Sequence, residues 1–182
     1  LFASLVLVSC ARVGSPVGGD KDSIAPKMIG SNIDSSRVNV PRTTKELRID
    51  FDEYIQLKDI SKNLIISPPI KYSKIIPSST GNKYLEIQWK DTLQASTTYN
   101  FNFGNSVVDL NESNVLPYFN FVFSTGEKLD DLYISGTIVD ALGSEKSAEG
   151  KENNLVVGLY QVKDTMNYRQ KPYYISKADT DG

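Results

Sequence analysis

The chain has no histidine and a single cysteine among its 182 residues, and the first consequence is chemical. Without imidazole there is no His general base, no Ser–His or Cys–His nucleophile pair and no Cys/His zinc site. An enzyme would have to work with carboxylates, Lys, Tyr or Ser alone, so the expectation is a non-enzymatic protein without metal or organic cofactor. One thiol cannot form an intrachain disulfide, which leaves stability to the core. Charge of one sign is also missing: 20 basic residues stand against 22 acidic ones, and no strong basic patch appears. That removes the electrostatic footprint of a nucleic-acid binder. No segment sustains a helical period.

What is there is alternation. Tyr99, Phe101 and Phe103 alternate with Asn100 and Asn102, and Phe119, Phe121 and Phe123 alternate with Asn120, Val122 and Ser124. A repeat of two puts each aromatic row on one face of a strand, and both rows face a common core. The loop between them carries Asp109, Asn111, Glu112, Ser113 and Asn114, side chains that bond to nearby backbone and favour turns. Upstream, residues 26–29 read as an edge strand, where proline is permitted. Leu47, Ile49 and Phe51 alternate with Arg48, Asp50 and Asp52; residues 64–66 form a strand ended by Pro68-Pro69; Leu85, Ile87 and Trp89 alternate with Glu86 and Gln88, with Trp89 closing one end of the core. Six or seven short strands separated by turn signals predict an all-β, immunoglobulin-like sandwich.

The start of the chain has a different character. Residues 1–9, LFASLVLVS, are almost wholly apolar and lead directly into Cys10, then into a stretch containing Gly14, Pro16, Gly18 and Gly19. Nine residues fall short of the ~20 that cross a bilayer; they fit the apolar part of a signal peptide. Leu7, Val8, Ser9 and Cys10 resemble the lipobox of bacterial lipoproteins, which implies that Cys10 becomes the acylated first residue of the mature protein, carrying palmitate-type fatty chains. Acyl chains contribute roughly 0.8 kcal/mol per buried methylene, and two or more hold a protein stably at a membrane. The competing reading is a buried strand with Cys10 as a small core residue, but core strands are seldom followed by GSPVGGDKD. The chain begins without Met and without a positively charged leader, as expected of a sequence that starts inside a longer frame. Residues 10–24 have the composition of a spacer between lipid and domain. Asp20-Lys21-Asp22 within it reads as a solvated linker, or as a sorting signal across the outer membrane.

The motifs of residues 25–126 carry a family resemblance. IDFDEY at 49–54, the spacing of Leu93 to Tyr99, DLNESN at 109–114 and FVFSTG at 121–126 resemble the bacterial Ig-like domain first described in S-layer proteins. Lipobox, linker and this domain together are similar to Ig-like lipoproteins of the Bacteroidetes phylum. Members carry DLxGN where this chain has DLNESN, so its loop is one residue longer. Tyr99 resembles the tyrosine of a tyrosine corner, whose hydroxyl bonds to an upstream backbone group. The resemblance implies architecture, since this fold serves many functions. It carries the expectation of a lipid-anchored structural or protein-interaction module of the outer membrane, on its periplasmic or its surface side. Other envelope proteins are the expected partners. A surface glycan-binding or adhesive module is the alternative.

After a charged hinge at 127–131, a second β pattern opens with Leu132, Ile134 and Ile138, followed by strands at 155–160 and 172–176. ISGTIVDA, then VVGLY, then a strand before TDG resemble the start of a carboxypeptidase-regulatory-like, transthyretin-like domain. About 50 residues bury too little surface to stand alone, so residues 130–182 read as an incomplete second sandwich, against an extra hairpin packed on the first.

Three constellations bear on chemistry. Asp50, Asp52 and Glu53 could hydrolyse glycosides or bind calcium, but read first as a solvated strand end. Asp109, Asn111, Glu112 and Asn114 supply oxygen ligands for a cation without the Asp…Gly…Glu spacing of an EF-hand, and read first as a turn. Tyr72, Tyr118, Tyr168, Tyr173 and Tyr174 remain as exposed contacts for a sugar or a partner.

Overall fold

The computed structural model describes residue 19 and residues 21–138, 155–160 and 172–177. Its spine is β2, Glu46–Leu57. Leu47, Ile49, Phe51 and Ile55 point inward and are at most 1% exposed, so the strand follows the period-two pattern over nearly its whole length. Strand β1 (Met28–Ser31) pairs antiparallel along one side of β2, and β5 (Asn82–Trp89) along the other. β4 (Tyr72–Ile76) then adds to β5, and β7 (Val107–Asp109) pairs with the last three residues of β2 to complete a five-stranded sheet. Facing it is a three-stranded antiparallel sheet of β3 (Ile65–Ser67), β6 (Thr98–Gly104) and β8 (Phe119–Ser124), in that order.

The two aromatic rows are neighbours, since Tyr99 pairs with Phe123 and Phe101 with Phe121 in the β6–β8 ladder. Their rings fill the space between sheets: Tyr99 on Phe123 at 5.6 Å, Phe101 on Phe123 at 5.8 Å, Phe103 on Phe119 at 5.4 Å, and Phe51 across to Phe119 at 5.7 Å. Each fully buried ring is worth roughly 2–3 kcal/mol of transfer free energy, which is how a protein without disulfides secures its core. Trp89 packs on Phe101 at 5.6 Å and closes one end, as expected.

That end, called distal here, holds the start of β2 and the exit of the chain at Gly126. The opposite, proximal end holds Leu57, the single-turn helix α1 (Ile60–Asn63) and the loops around Asn105 and Tyr118. Between β1 and β2 the chain crosses from one sheet to the other. Ser124 N–H donates to Arg37 O (2.8 Å), Val40 N–H to Ser124 O (3.0 Å) and Asn39 N–H to Gly126 O (2.8 Å), which stitches residues 37–40 alongside the end of β8 in the same direction.

Several boundaries differ from those read off the sequence. The edge strand is Met28–Ser31 rather than 26–29, and β3 begins one residue later than expected because α1 occupies the residues before Leu64. The connection between the aromatic rows is more than a loop: Val107–Asp109 leaves the three-stranded sheet and joins the other. Past Gly126, no strand forms over 130–138, where Leu132, Tyr133 and Ile134 are exposed and no ladder partner lies alongside among the described residues. Strands β9 (Val156–Leu159) and β10 (Tyr174–Lys177) form an antiparallel pair. Ile175 N–H donates to Ser67 Oγ (2.9 Å) and Asp130 N–H to Thr98 Oγ1 (2.9 Å), so this part touches the outer side of the three-stranded sheet.

Candidate functional site

The residues singled out for chemistry fall into three places. Leu7, Val8, Ser9 and Cys10, together with Asp20 and Tyr168, lie outside the described residues. Asp50 and Asp52 sit on the outer face of β2 with structural partners: Arg48 pairs with Asp50 at 2.9 Å, and Lys27 N–H donates to Asp52 Oδ1 at 2.8 Å. Glu53, grouped with them in the sequence, is half-buried. Desolvation pushes its carboxyl above the usual range, and the carboxylates of Asp109, Asp52, Asp22 and Glu112 push in the same direction.

The loop after β7 is built on one carboxylate. Glu112 and Ser113 N–H groups donate to Asp109 Oδ1 (2.7 and 2.9 Å), and Asn114 N–H donates to Oδ2 (2.8 Å). Burial of Asp109 raises its pKa, but the backbone N–H groups of Asn114, Ser113, Glu112 and Asn111 together outweigh burial and leave the carboxyl below its ordinary value. Both Asp109 oxygens are thereby committed to the turn. Among the described residues no group of three or more His, Cys, Asp or Glu is placed to hold a metal ion. Asn111 is exposed, and the Asn114 amide donates to Asp22 O at 3.1 Å, which ties the incoming chain to the sandwich. The tail of the expected spacer therefore lies against the body from Asp22 onward. Ser113 takes a left-handed backbone (φ 68°) and accepts from Lys58 Nζ at 2.7 Å.

Tyr99 does what the corner resemblance implies. Gln94 N–H donates to its hydroxyl at 2.8 Å, while Thr125 Oγ1 donates to Gln94 O at 2.7 Å and accepts from Thr97 N–H at 3.0 Å. Of the other tyrosines, Tyr72 sits at the rim, Tyr173 and Tyr174 are half-buried, and Tyr118 is 83% exposed with a left-handed backbone (φ 51°). Tyr54, which the sequence reading passed over, is exposed at the proximal end beside Lys83. Its signal was present: it falls on the outward register of β2.

With that geometry in place, the comparisons are specific. The family described as bacterial Ig-like domain matches residues 22–125. No curated protein and no solved structure matches the chain. The matched span begins at Asp22, the residue bound by Asn114, and ends at Thr125, the residue that closes the tyrosine corner. Such domains are structural or interaction modules, typically non-catalytic.

Proposed function

The chain belongs to the bacterial Ig-like domain family, and from that premise we propose that it is a non-enzymatic lipoprotein of the outer membrane, serving as a structural or protein-interaction module of the cell envelope. The supporting observation is the placement of the sole thiol. Cys10 follows LFASLVLVS directly and precedes a Gly-, Pro- and Ser-containing stretch that runs to the start of the domain. A thioether to lipid at that sulfur, with two or more acyl chains in the bilayer, holds the domain permanently at the membrane. Partners are other envelope proteins. The composition fits a binding role, because histidine, the commonest general acid and base, is missing.

Replacing Cys10 by Ala in cells moves the protein from the membrane pellet to the soluble fraction and abolishes incorporation of labelled palmitate. A Cys10→Ala chain that still pellets with membranes ends the proposal. A glycan array on the same chain separates this reading from the adhesive one: binding lost on mutation of an exposed tyrosine would favour the latter.

A further inference from the structure

We propose that residues 22–27 form a strap on the sandwich that a proton at Glu53 fastens and its loss loosens.

The strap is pinned at both ends to acidic elements. At one end the Asn114 amide, in the turn after β7, donates to Asp22 O at 3.1 Å, and Ile24 N–H folds back onto Asp22 Oδ1 at 2.9 Å. At the other, just before β1, Lys27 N–H donates to Asp52 Oδ1 at 2.8 Å and Asp52 N–H donates to Lys27 O at 3.1 Å. Between these ends Pro26 is buried, whereas residues 22–24 are exposed. A short segment held by so few bonds and one buried side chain can lift while the core stays folded.

Charge works against those bonds. Asp22 on the strap, Asp52 beside Glu53 on β2, and Asp109 and Glu112 on the turn all lie near enough to Glu53 to act on it. No ion pair among the described residues engages any of these five carboxylates. The cations nearby do not compensate them: Lys83 Nζ, from the start of β5, reaches Asp52 O at 3.4 Å, Lys58 Nζ is on Ser113 Oγ, and Lys21 and Lys27 are exposed. Asp109 and Asp52 spend their charge on backbone N–H groups, and the half-buried Glu53 takes no share of those donors.

The sign of the coupling follows. Desolvation and the four surrounding carboxylates raise the Glu53 pKa above 4.5. Asp22 supplies part of that push, so the push is stronger with the strap down than with it lifted. Fastening therefore takes up a proton: the extra hold is complete below 4.5 and is lost as pH rises through the raised folded value. Asp109 stays ionised throughout, because its folded value lies below 3.8. Asp52 acts in the opposite direction, since a proton there takes a charged acceptor from Lys27 N–H. Release frees residues 22–27, about 20 Å of chain when extended.

Hydrogen–deuterium exchange of the full chain tests this, read by mass spectrometry on peptides spanning 22–28 and corrected for the intrinsic effect of pH. Relative to peptides from β6 and β8, the strap of the unsubstituted chain should be several-fold more protected at about pH 5 than at about pH 7.5. Glu53→Gln, neutral at both, should hold the strap at the higher pH as firmly as the unsubstituted chain does at the lower. Asp22→Asn keeps the backbone oxygen that Asn114 bonds and removes only the strap's own charge. It should tighten the strap at the higher pH and narrow the difference, and it keeps the test decisive if Glu53→Gln does not fold. Equal protection at both pH values in the unsubstituted chain overturns the proposal, as does a pH difference that persists in full in either folded variant.

Discussion

At the distal end the sandwich is closed by hydroxyls and amides: Tyr99 takes the Gln94 N–H, Thr125 bridges Gln94 and Thr97, and Arg42 Nε donates to Leu93 O. At the proximal end the turn is closed by one carboxylate, Asp109, which accepts three N–H groups. The two closures bound stability from opposite sides of the pH scale. Asp109 has a folded pKa below 3.8, so its contribution is present above that value and is lost as pH falls through the folded one. Tyr99 has a folded pKa above 10.0, because burial outweighs the Gln94 bond. Its contribution is full below 10.0 and is lost as pH rises through the folded value.

The sharpest way to break this symmetry is Asp109→Ala. Three N–H groups lose their acceptor, and urea unfolding at neutral pH should show a loss of about 2–3 kcal/mol. Asp109→Asn should recover part of that loss and flatten the acid side of the stability profile below 3.8. An unchanged acid limb in Asp109→Asn would remove this carboxylate as its origin. Tyr99→Phe should cost less, about 1 kcal/mol for one hydrogen bond, leave the acid limb as it was, and flatten the limb above 10.0. If Tyr99→Phe instead changes acid stability, the ends are not independent. The smallest effect is Ser113→Gly. It relieves a left-handed serine at φ 68° while giving up the exposed bond from Lys58, and thermal unfolding should register a gain of about 0.5 kcal/mol.

Alternation made the long strands legible. Leu47, Ile49 and Phe51, then Leu85, Ile87 and Trp89, then the two aromatic rows all lie inward, because a half-buried strand writes its own period. β7 left no such trace: Ser106, Val107, Val108 and Asp109 are all buried, since the chain there passes between sheets and has no solvent face. β4 was hidden for the opposite reason, as an edge strand whose Tyr72, Ser73 and Lys74 are exposed. The single turn of α1 is too short to show a helical repeat. At the proximal end the tendency of 109–114 to turn was readable from residue types, but the concentration of the turn on one aspartate was not. The partial burial of Glu53 was not readable either, because the register of β2 against β5 shifts between Asp50 and Ile55 and interrupts the count by twos.

The stitching of residues 37–40 along the end of β8 matters once the protein is pulled. Tension on the amino-terminal side draws that segment toward the proximal end, while tension from beyond Gly126 draws β8 the other way. The bonds from Ser124, Val40 and Asn39 then bear the force together in shear instead of opening one after another. Loaded in that way, the segment parts from β8 only when all three bonds rupture at once.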